Sequence, residues 1–179
     1  MPPALGQSAL VRSWNFLAPL LPRRVGSPAL SFDDLAEAAR QAAGSSDFGG
    51  TSFLEPLRRL VESIEDTADL HAFGRFYVKN VLTGLLANRL RLADLWKRRP
   101  EILRETITKP LVVLGLPRTG TTLLFNLLAQ DPAHRSLTNW EAVVSQAPPE
   151  GSYGFESDPR RRRGHYLMKL QNHLAPRMR

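Results

Sequence analysis

Two glycines and two threonines in one short segment have the spacing of a phosphate-binding loop. Residues 115–122 read G-L-P-R-T-G-T-T and directly follow the apolar run of residues 111–114. The G-x-x-x-x-G spacing lets backbone N–H groups curl around a phosphate, and the hydroxyls of Thr121 and Thr122 add donors where a helix would begin. The segment therefore predicts an anion-binding loop.

The cation of this loop is displaced from its usual position. A loop that binds ATP carries a lysine where this sequence has Thr121, whereas the cation here is Arg118, three residues earlier. A kinase or ATPase also needs an acidic residue at the end of a second strand to hold Mg²⁺, and the sequence shows no such residue. A transfer without metal is easier when the moving group carries less charge than a phosphoryl group, as a sulfuryl group does. We therefore expect an anion cradle without a metal site.

The segments beside the loop predict the strand and the helix that this motif requires. The apolar run ends at Gly115 and begins after Lys109 and Pro110, which is typical of a buried parallel strand within residues 107–115. Behind the loop, a helix is predicted that ends at Asp131 and Pro132. Its apolar face consists of Leu123, Leu124, Leu127 and Leu128.

Upstream of the strand the apolar residues recur at helical spacing. Ser31, with Asp34 three residues later, predicts an N-cap and a helix over residues 35–43. A second helix is predicted from Ser52 onward. A third stretch, capped near Asp66 and Thr67 and broken or bent near Gly74 or Gly84, is expected to run to about Arg99 and to precede a short helical turn at 101–105. Downstream, residues 137–144 are expected as a strand or extended loop, 148–151 as a break, and 161–174 as a last helix.

These elements predict an α/β protein with a P-loop-type parallel sheet, of which this chain holds only the start, preceded by a mainly helical N-terminal region. The expected divisions are a disordered leader at 1–30, a helical region at 31–106, the start of the P-loop-like domain at 107–150 and a basic C-terminal segment at 151–179. One parallel strand cannot form a sheet without paired neighbours, so the chain looks truncated shortly after its loop.

Composition narrows the classes of function. The absence of cysteine excludes disulfides and thiolate metal sites, and no apolar run approaches the roughly 20 residues of a membrane span. The net charge of +7 resides at the two ends, because residues 33–159 hold 14 basic and 17 acidic side chains. We therefore do not expect nucleic-acid binding. The first 32 residues contain no acid, which fits a transit peptide or a disordered leader, and their five prolines favour the leader and a cytoplasmic protein.

Residues 111–122, read as L-V-V-L-G-L-P-R-T-G-T-T, resemble the 5′-phosphosulfate loop of sulfotransferases that use 3′-phosphoadenosine 5′-phosphosulfate (PAPS). Residues 86–90, 127–131 and 140–141 extend the similarity, which covers roughly residues 45–150 and points to the N-terminal part of the bacterial branch with a helical N-terminal region. The resemblance implies sulfuryl transfer from PAPS to a hydroxyl or amine of a small-molecule acceptor, without a metal.

The resemblance also implies roles for individual residues. Arg118 would stabilise charge on the leaving phosphate oxygen, and Glu141 would take the proton from the acceptor, as a glutamate does in the branch that sulfates protein tyrosines. The alternatives are a surface ion pair for Arg118 and a surface acid for Glu141. His165 and His173 are candidate bases by analogy with other branches, or surface residues. The residues expected to bind the phosphosulfate are Pro117, Arg118, Thr119, Gly120, Thr121 and Thr122.

Part of the family's pattern has no counterpart here. The Arg and Ser that hold the 3′-phosphate normally follow in a later strand and helix, so activity of these 179 residues alone is an open question. The run of arginines at 160–163 either binds an anion or belongs to a disordered tail. Two other functions also stay open: a P-loop nucleoside kinase or NTPase, which Thr121 disfavours, and a non-catalytic helical module that binds an anion or a partner. The sequence does not specify the acceptor or the oligomeric state.

Overall fold

The computed structural model describes residues 8–22, 29–144 and 156–174. Its helices are α1 (Ala9–Leu17), α2 (Phe32–Ala43), α3 (Leu54–Thr67), α4 (Ala72–Arg98), α5 (Thr121–Leu128), α6 (Asn139–Val144) and α7 (Pro159–Leu174). Short 3-10 helices cover Ala18–Leu20 and Pro100–Arg104. Parts of the predicted leader, residues 1–7 and 23–28, lie outside the described residues, as does the predicted break at 148–151.

Local signals at both ends define α2. The backbone N–H of Asp34 donates to the hydroxyl of Ser31 at 3.1 Å, which confirms the predicted N-cap. Two aspartates in the first turn interact favourably with the positive end of the helix dipole and stabilise the helix. Gly44 ends the helix at φ 68, in the left-handed conformation that glycine adopts without a steric penalty, and its N–H donates to the carbonyl of Arg40 at 2.8 Å.

The longest helix, α4, runs for 27 residues without the predicted break. It begins at Ala72 rather than near Asp66, because the side chain of His71 caps it by accepting the N–H of Gly74 at 2.9 Å. Gly74 therefore lies in the first turn, where it interrupts nothing. Gly84 lies on an open side of the helix, and the buried side chains on the opposite face keep this part of the helix packed.

The hydrophobic core lies between α2, α3 and α4. Leu35 on α2 and Leu90 on α4 are both 0% exposed, and Val61 on α3 closes the cluster. The loop between α2 and α3 packs on α4 as well: the Nε of Arg89 donates to the carbonyl of Phe48 at 2.9 Å, and the guanidinium of Arg89 lies 4.4 Å from the ring centre of Phe53. The three helices and this loop form one packed unit.

A carboxylate joins the entry of α2 to the first turns of α4. Glu65 accepts the backbone N–H of Leu30 at 2.9 Å and Nη1 of Arg75 at 2.5 Å. The hydrogen bond from Arg75 is the main reason that the pKa of Glu65 falls below its ordinary value. Partial burial opposes this fall, and the N–H of Leu30 adds to it. Glu65 is therefore ionised at neutral pH, and its carboxylate binds both Leu30 before α2 and Arg75 on α4.

Helix α1 lies within the segment that the sequence assigned to a disordered leader. Val11 is buried, the ring centres of Trp14 and Phe76 are 5.1 Å apart, and the side chain of Asn15 accepts the backbone N–H of Phe73 at 2.9 Å. These contacts with the start of α4 order residues 9–17. An acid-free, proline-rich composition does not reveal such a contact.

The predicted parallel sheet is wrong for the part of the chain that the structure describes, which contains no β-strand. Residues 110–116 form an irregular segment, and Leu114 is 87% exposed. The physical reason is that a parallel strand is held by hydrogen bonds to a neighbouring strand, and no described segment supplies one. The expected strand or extended loop at 137–144 is also corrected, since Asn139–Val144 is helical.

Among the described residues, no helix combines the length and apolarity that crossing a membrane requires.

The first prediction concerns the core. Leu90→Ala is expected to lower the free energy of unfolding by about 2–5 kcal/mol, because it removes a fully buried side chain and leaves a cavity. Leu85 lies on the same helix but is 57% exposed, so Leu85→Ala is the matched control and is expected to change stability by less than about 0.5 kcal/mol. Urea unfolding followed by circular dichroism measures both. Equal losses in the two variants would contradict the described packing of α4.

Candidate functional site

The loop at 115–122 turns sharply into α5 through two left-handed residues. Arg118 has φ 69 and Gly120 has φ 84. Gly120 is the N-cap of α5, and its carbonyl accepts the N–H of Leu124 at 3.0 Å, which starts the helical hydrogen bonds. Glycine adopts this conformation freely, whereas arginine does so at a cost in free energy. The strained residue of the loop is therefore its cation.

Gly115 allows the loop to close tightly on itself. A Cβ at this position would lie 2.6 Å from Cγ2 of Thr121 and 2.8 Å from Oγ1 of Thr119, which is closer than carbon atoms tolerate. The side chains of the two threonines thus pack directly on the glycine backbone. A larger residue at 115 would therefore have to displace these two side chains.

The loop presents several donors to a ligand. Within the described part of the chain, the backbone N–H groups of Arg118 and of residues 120–122 have no hydrogen-bond partner, while Thr119 ends a main-chain turn. These groups surround the start of α5, where the helix dipole is positive. The side chain of Arg118 is exposed and forms no ion pair with any described residue. The arrangement can therefore bind an anion through amides, with one guanidinium nearby.

The hydroxyl of Thr119 forms a hydrogen bond within the loop. Its Oγ1 donates to the carbonyl of Leu116 at 2.7 Å, so this hydroxyl hydrogen is held within the loop. Thr122 is exposed, and Thr121 is half-buried. Of the three loop threonines, Thr119 alone is held by a side-chain hydrogen bond within the described residues.

The apolar face predicted for the loop helix is present on α5 but is not covered by any described element. Leu123, Leu124 and Leu127 are all exposed, and α5 has no buried residue. The helix ends at Leu128, three residues before the predicted end at Asp131, and a turn connects the two residues. The loop keeps its shape although nothing described packs on the helix that follows it.

Glu141 lies in a capping box at the start of α6. Thr138 precedes the helix, and Oε2 of Glu141 accepts the backbone N–H of Thr138 at 2.8 Å and its hydroxyl at 2.9 Å. Nη2 of Arg135 donates to Oε1 at 2.5 Å. The carboxylate is only 10% exposed, although Arg135 is largely in solvent.

These contacts determine the charge of Glu141. The backbone N–H of Thr138 lowers the pKa of the carboxyl most, partial burial raises it, and the hydroxyl of Thr138 and Arg135 lower it further. The net result is a pKa below the ordinary glutamate value, so Glu141 is ionised at neutral pH. Sequence reasoning missed the capping role, although the T-x-x-E pattern at 138–141 was there to indicate it.

The arginine run at 160–163 begins with local ion pairs rather than an open anion site. The guanidinium of Arg160 contacts both oxygens of Asp158, with Nη2 to Oδ2 at 2.6 Å, and lies 5.6 Å from the ring centre of the buried Trp140. Arg161 pairs with Glu156. Trp140 and Arg160 thereby join α6 to α7.

The candidate bases, Glu141 and the two histidines, differ in their surroundings. No hydrogen bond or ion pair among the described residues joins Arg118 to Glu141, whose cationic partner is Arg135. His165 is exposed on α7, and the side chain of His173 lies outside the described residues. Within the described ranges, no three acidic or histidine side chains come together in a group that could hold a metal ion.

The second prediction concerns closure of the loop. Gly115→Ala is expected to shift the backbone amide resonances of residues 116 and 118–122, because the new methyl group collides with Thr119 and Thr121. The matched control is Gly84→Ala, whose Cβ meets no atom within 4 Å. It is expected to leave those resonances in place and to raise stability by up to about 1 kcal/mol. NMR spectra that are unchanged in Gly115→Ala would contradict the close approach.

The chain is similar to known sulfotransferases. The sequence profile of the sulfotransferase family matches residues 110–176, which include the loop and helices α5 to α7. Sulfotransferase STF1 from Mycobacterium tuberculosis H37Rv is 33% identical, with a TM-score of 0.69 over 83% of this chain and 41% of that one. Sulfotransferase STF9 from Mycobacterium avium is 35% identical, with a TM-score of 0.67 over 79% of this chain and 35% of that one.

The chain therefore spans less than half the length of either solved sulfotransferase. No curated protein matches it at a significant level. The profile match includes the loop, α5 and Glu141. This chain belongs to the sulfotransferase family.

Proposed function

We propose that this chain carries the donor-binding part of an enzyme that transfers a sulfuryl group from PAPS to a hydroxyl or amine of a small molecule. The observation that carries the proposal is the loop at 115–122, with free amides, a left-handed arginine and a threonine in place of the lysine of ATP-binding loops. Membership of the sulfotransferase family supports it. Because the chain covers less than half of the related structures, the activity of the whole protein is part of the proposal.

The donor side of the site fits a phosphosulfate. Its ligands in this proposal are Arg118, the amides from 118 to 122, and the hydroxyls of Thr121 and Thr122, with Pro117 shaping the turn. When bound, PAPS supplies a sulfuryl group whose bond to the phosphate oxygen breaks as the acceptor attacks. Arg118 neutralises the charge that develops on that oxygen. A guanidinium does not give up its proton at physiological pH, so its role is electrostatic.

The acceptor side requires a group that takes a proton. We assign this role to Glu141, which is ionised at neutral pH and whose orientation is fixed by Thr138. Its lowered pKa makes it a weaker base than an ordinary glutamate. We also propose that the protein is cytoplasmic, because the five prolines among residues 1–32 argue against an amphipathic targeting presequence.

The third prediction tests the donor. Calorimetric titration with 3′-phosphoadenosine 5′-phosphate is expected to show binding that does not require Mg²⁺, and titration with Mg-ADP is expected to show none. Arg118→Ala is expected to weaken the binding about tenfold or more, since it removes a charge-assisted hydrogen bond. Arg104→Ala is the control, because Arg104 is an exposed arginine outside the loop.

The two nucleotides distinguish the rival functions. Preference for Mg-ADP would replace the proposal with a P-loop kinase or NTPase. Binding of neither nucleotide would favour the non-catalytic helical module. Equal binding in Arg118→Ala and the unchanged protein would remove Arg118 from the site.

The fourth prediction separates the two roles of Glu141. Glutamine preserves the capping box but cannot act as a base, so Glu141→Gln is expected to keep the stability of the protein and to lower kcat about 10²-fold or more. Glu141→Ala removes both roles and is expected to destabilise α6 as well. Transfer of radiolabelled sulfate and thermal unfolding are measured together. A Glu141→Gln enzyme with unchanged kcat would leave Glu141 with a structural role only.

A further inference from the structure

The turn at residues 116–119 carries a side-chain hydrogen bond in addition to its main-chain turn. In an ordinary β-turn, the backbone N–H of the fourth residue donates to the carbonyl of the first. The main chain turns at residues 117–118, and the hydroxyl of Thr119, the fourth residue, also donates to the carbonyl of Leu116 at 2.7 Å. The side chain of Thr119 thus reinforces a turn of the main chain.

We propose that Thr119 is a positioning residue of the loop and does not bind the phosphosulfate through its side chain. Its hydroxyl is held by the carbonyl of Leu116 and supports the turn that carries Arg118. The inference rests on the proposed function, since it assumes that the loop binds a phosphosulfate. The resemblance implied that Thr119 binds the phosphosulfate, and the inference assigns its hydroxyl to the turn.

The same contact stabilises the conformation of Arg118. The hydrogen bond from Thr119 to Leu116 spans Pro117 and Arg118, and Arg118 is the left-handed residue between its two ends, at φ 69. Proline restricts φ at the second position of the turn, while arginine at the third position is unfavourable without support. The hydroxyl of Thr119 supplies this support. The position of the cation therefore depends on a neighbouring hydroxyl.

The close approach to Gly115 also distinguishes Thr119 and Thr121 from Thr122. Oγ1 of Thr119 and the methyl group of Thr121 both lie within 3 Å of the place where a Cβ on Gly115 would be. Thr119 is thus held from two sides, by the Leu116 carbonyl and by the close approach to Gly115. Thr122 is exposed and has neither contact. The hydroxyl donors left for a ligand are those of Thr121 and Thr122.

The fifth prediction tests this role by changing only the hydroxyl. Thr119→Val has nearly the same shape without the donor, and it is expected to weaken binding of 3′-phosphoadenosine 5′-phosphate about tenfold. Thr119→Ser keeps the hydroxyl and is expected to bind like the unchanged protein. The control Thr108→Val alters an exposed threonine outside the loop. Unchanged binding by Thr119→Val, or an equal loss in Thr119→Ser, would overturn the proposal.

A double-mutant cycle with Arg118→Gly separates positioning from direct contact. Glycine adopts the left-handed conformation freely, so residue 118 no longer needs the support of Thr119. If Thr119 acts by positioning, Thr119→Val costs clearly less affinity in the Arg118→Gly background than in the unchanged protein. The same fold-loss in both backgrounds would indicate that the hydroxyl touches the ligand, and it would refute the proposed role.

A measurement without ligand keeps this inference distinct from the proposed function. The Cα and Cβ chemical shifts of Arg118 report its backbone conformation. Thr119→Val is expected to move them away from left-handed values, whereas Thr119→Ser leaves them unchanged. If the unchanged protein does not bind the nucleotide, the proposed function fails and these shifts still decide the role of Thr119. Identical Arg118 shifts in Thr119→Val and the unchanged protein would overturn it.

Discussion

The packing of α2 against α4 is the constraint on which the described helical region depends. Leu35 and Leu90 are both fully buried in the core cluster to which these two helices contribute. Helix α3 closes the cluster through Val61, Arg89 holds the loop after α2, and α1 packs at the start of α4. Among the described residues, most buried side chains therefore lie upstream of the loop at 115–122.

The loop depends on a different and more local constraint. Its shape comes from contacts among residues 115–124: the close approach at Gly115, the hydrogen bond from Thr119 to Leu116, and the left-handed Gly120 that starts α5. None of these contacts requires a sheet. This explains how the loop adopts its conformation although the preceding apolar segment and the apolar face of α5 are both exposed. The shape of the loop is therefore a local property.

The same distinction decides what the sequence could predict. The cap at Ser31, the amphipathic helices and the loop motif are short-range features, and the structure contains all of them. The strand before Gly115 was wrong because strand formation depends on a neighbour that periodicity cannot supply. The break in α4 was wrong because distant packing outweighed the weak helix propensity of Gly84. The capping box at Glu141 was a local signal that was overlooked, and α1 depends on contacts with α4 that composition does not reveal.

The most direct test of the account is whether a ligand reaches the loop amides. Backbone NMR during titration with 3′-phosphoadenosine 5′-phosphate measures this for every residue at once. The account predicts that the amide resonances of residues 118–122 move together and saturate at one concentration, while those of the α2 and α4 core stay in place. Shifts confined to the arginines of α7, with unmoved loop amides, would contradict it.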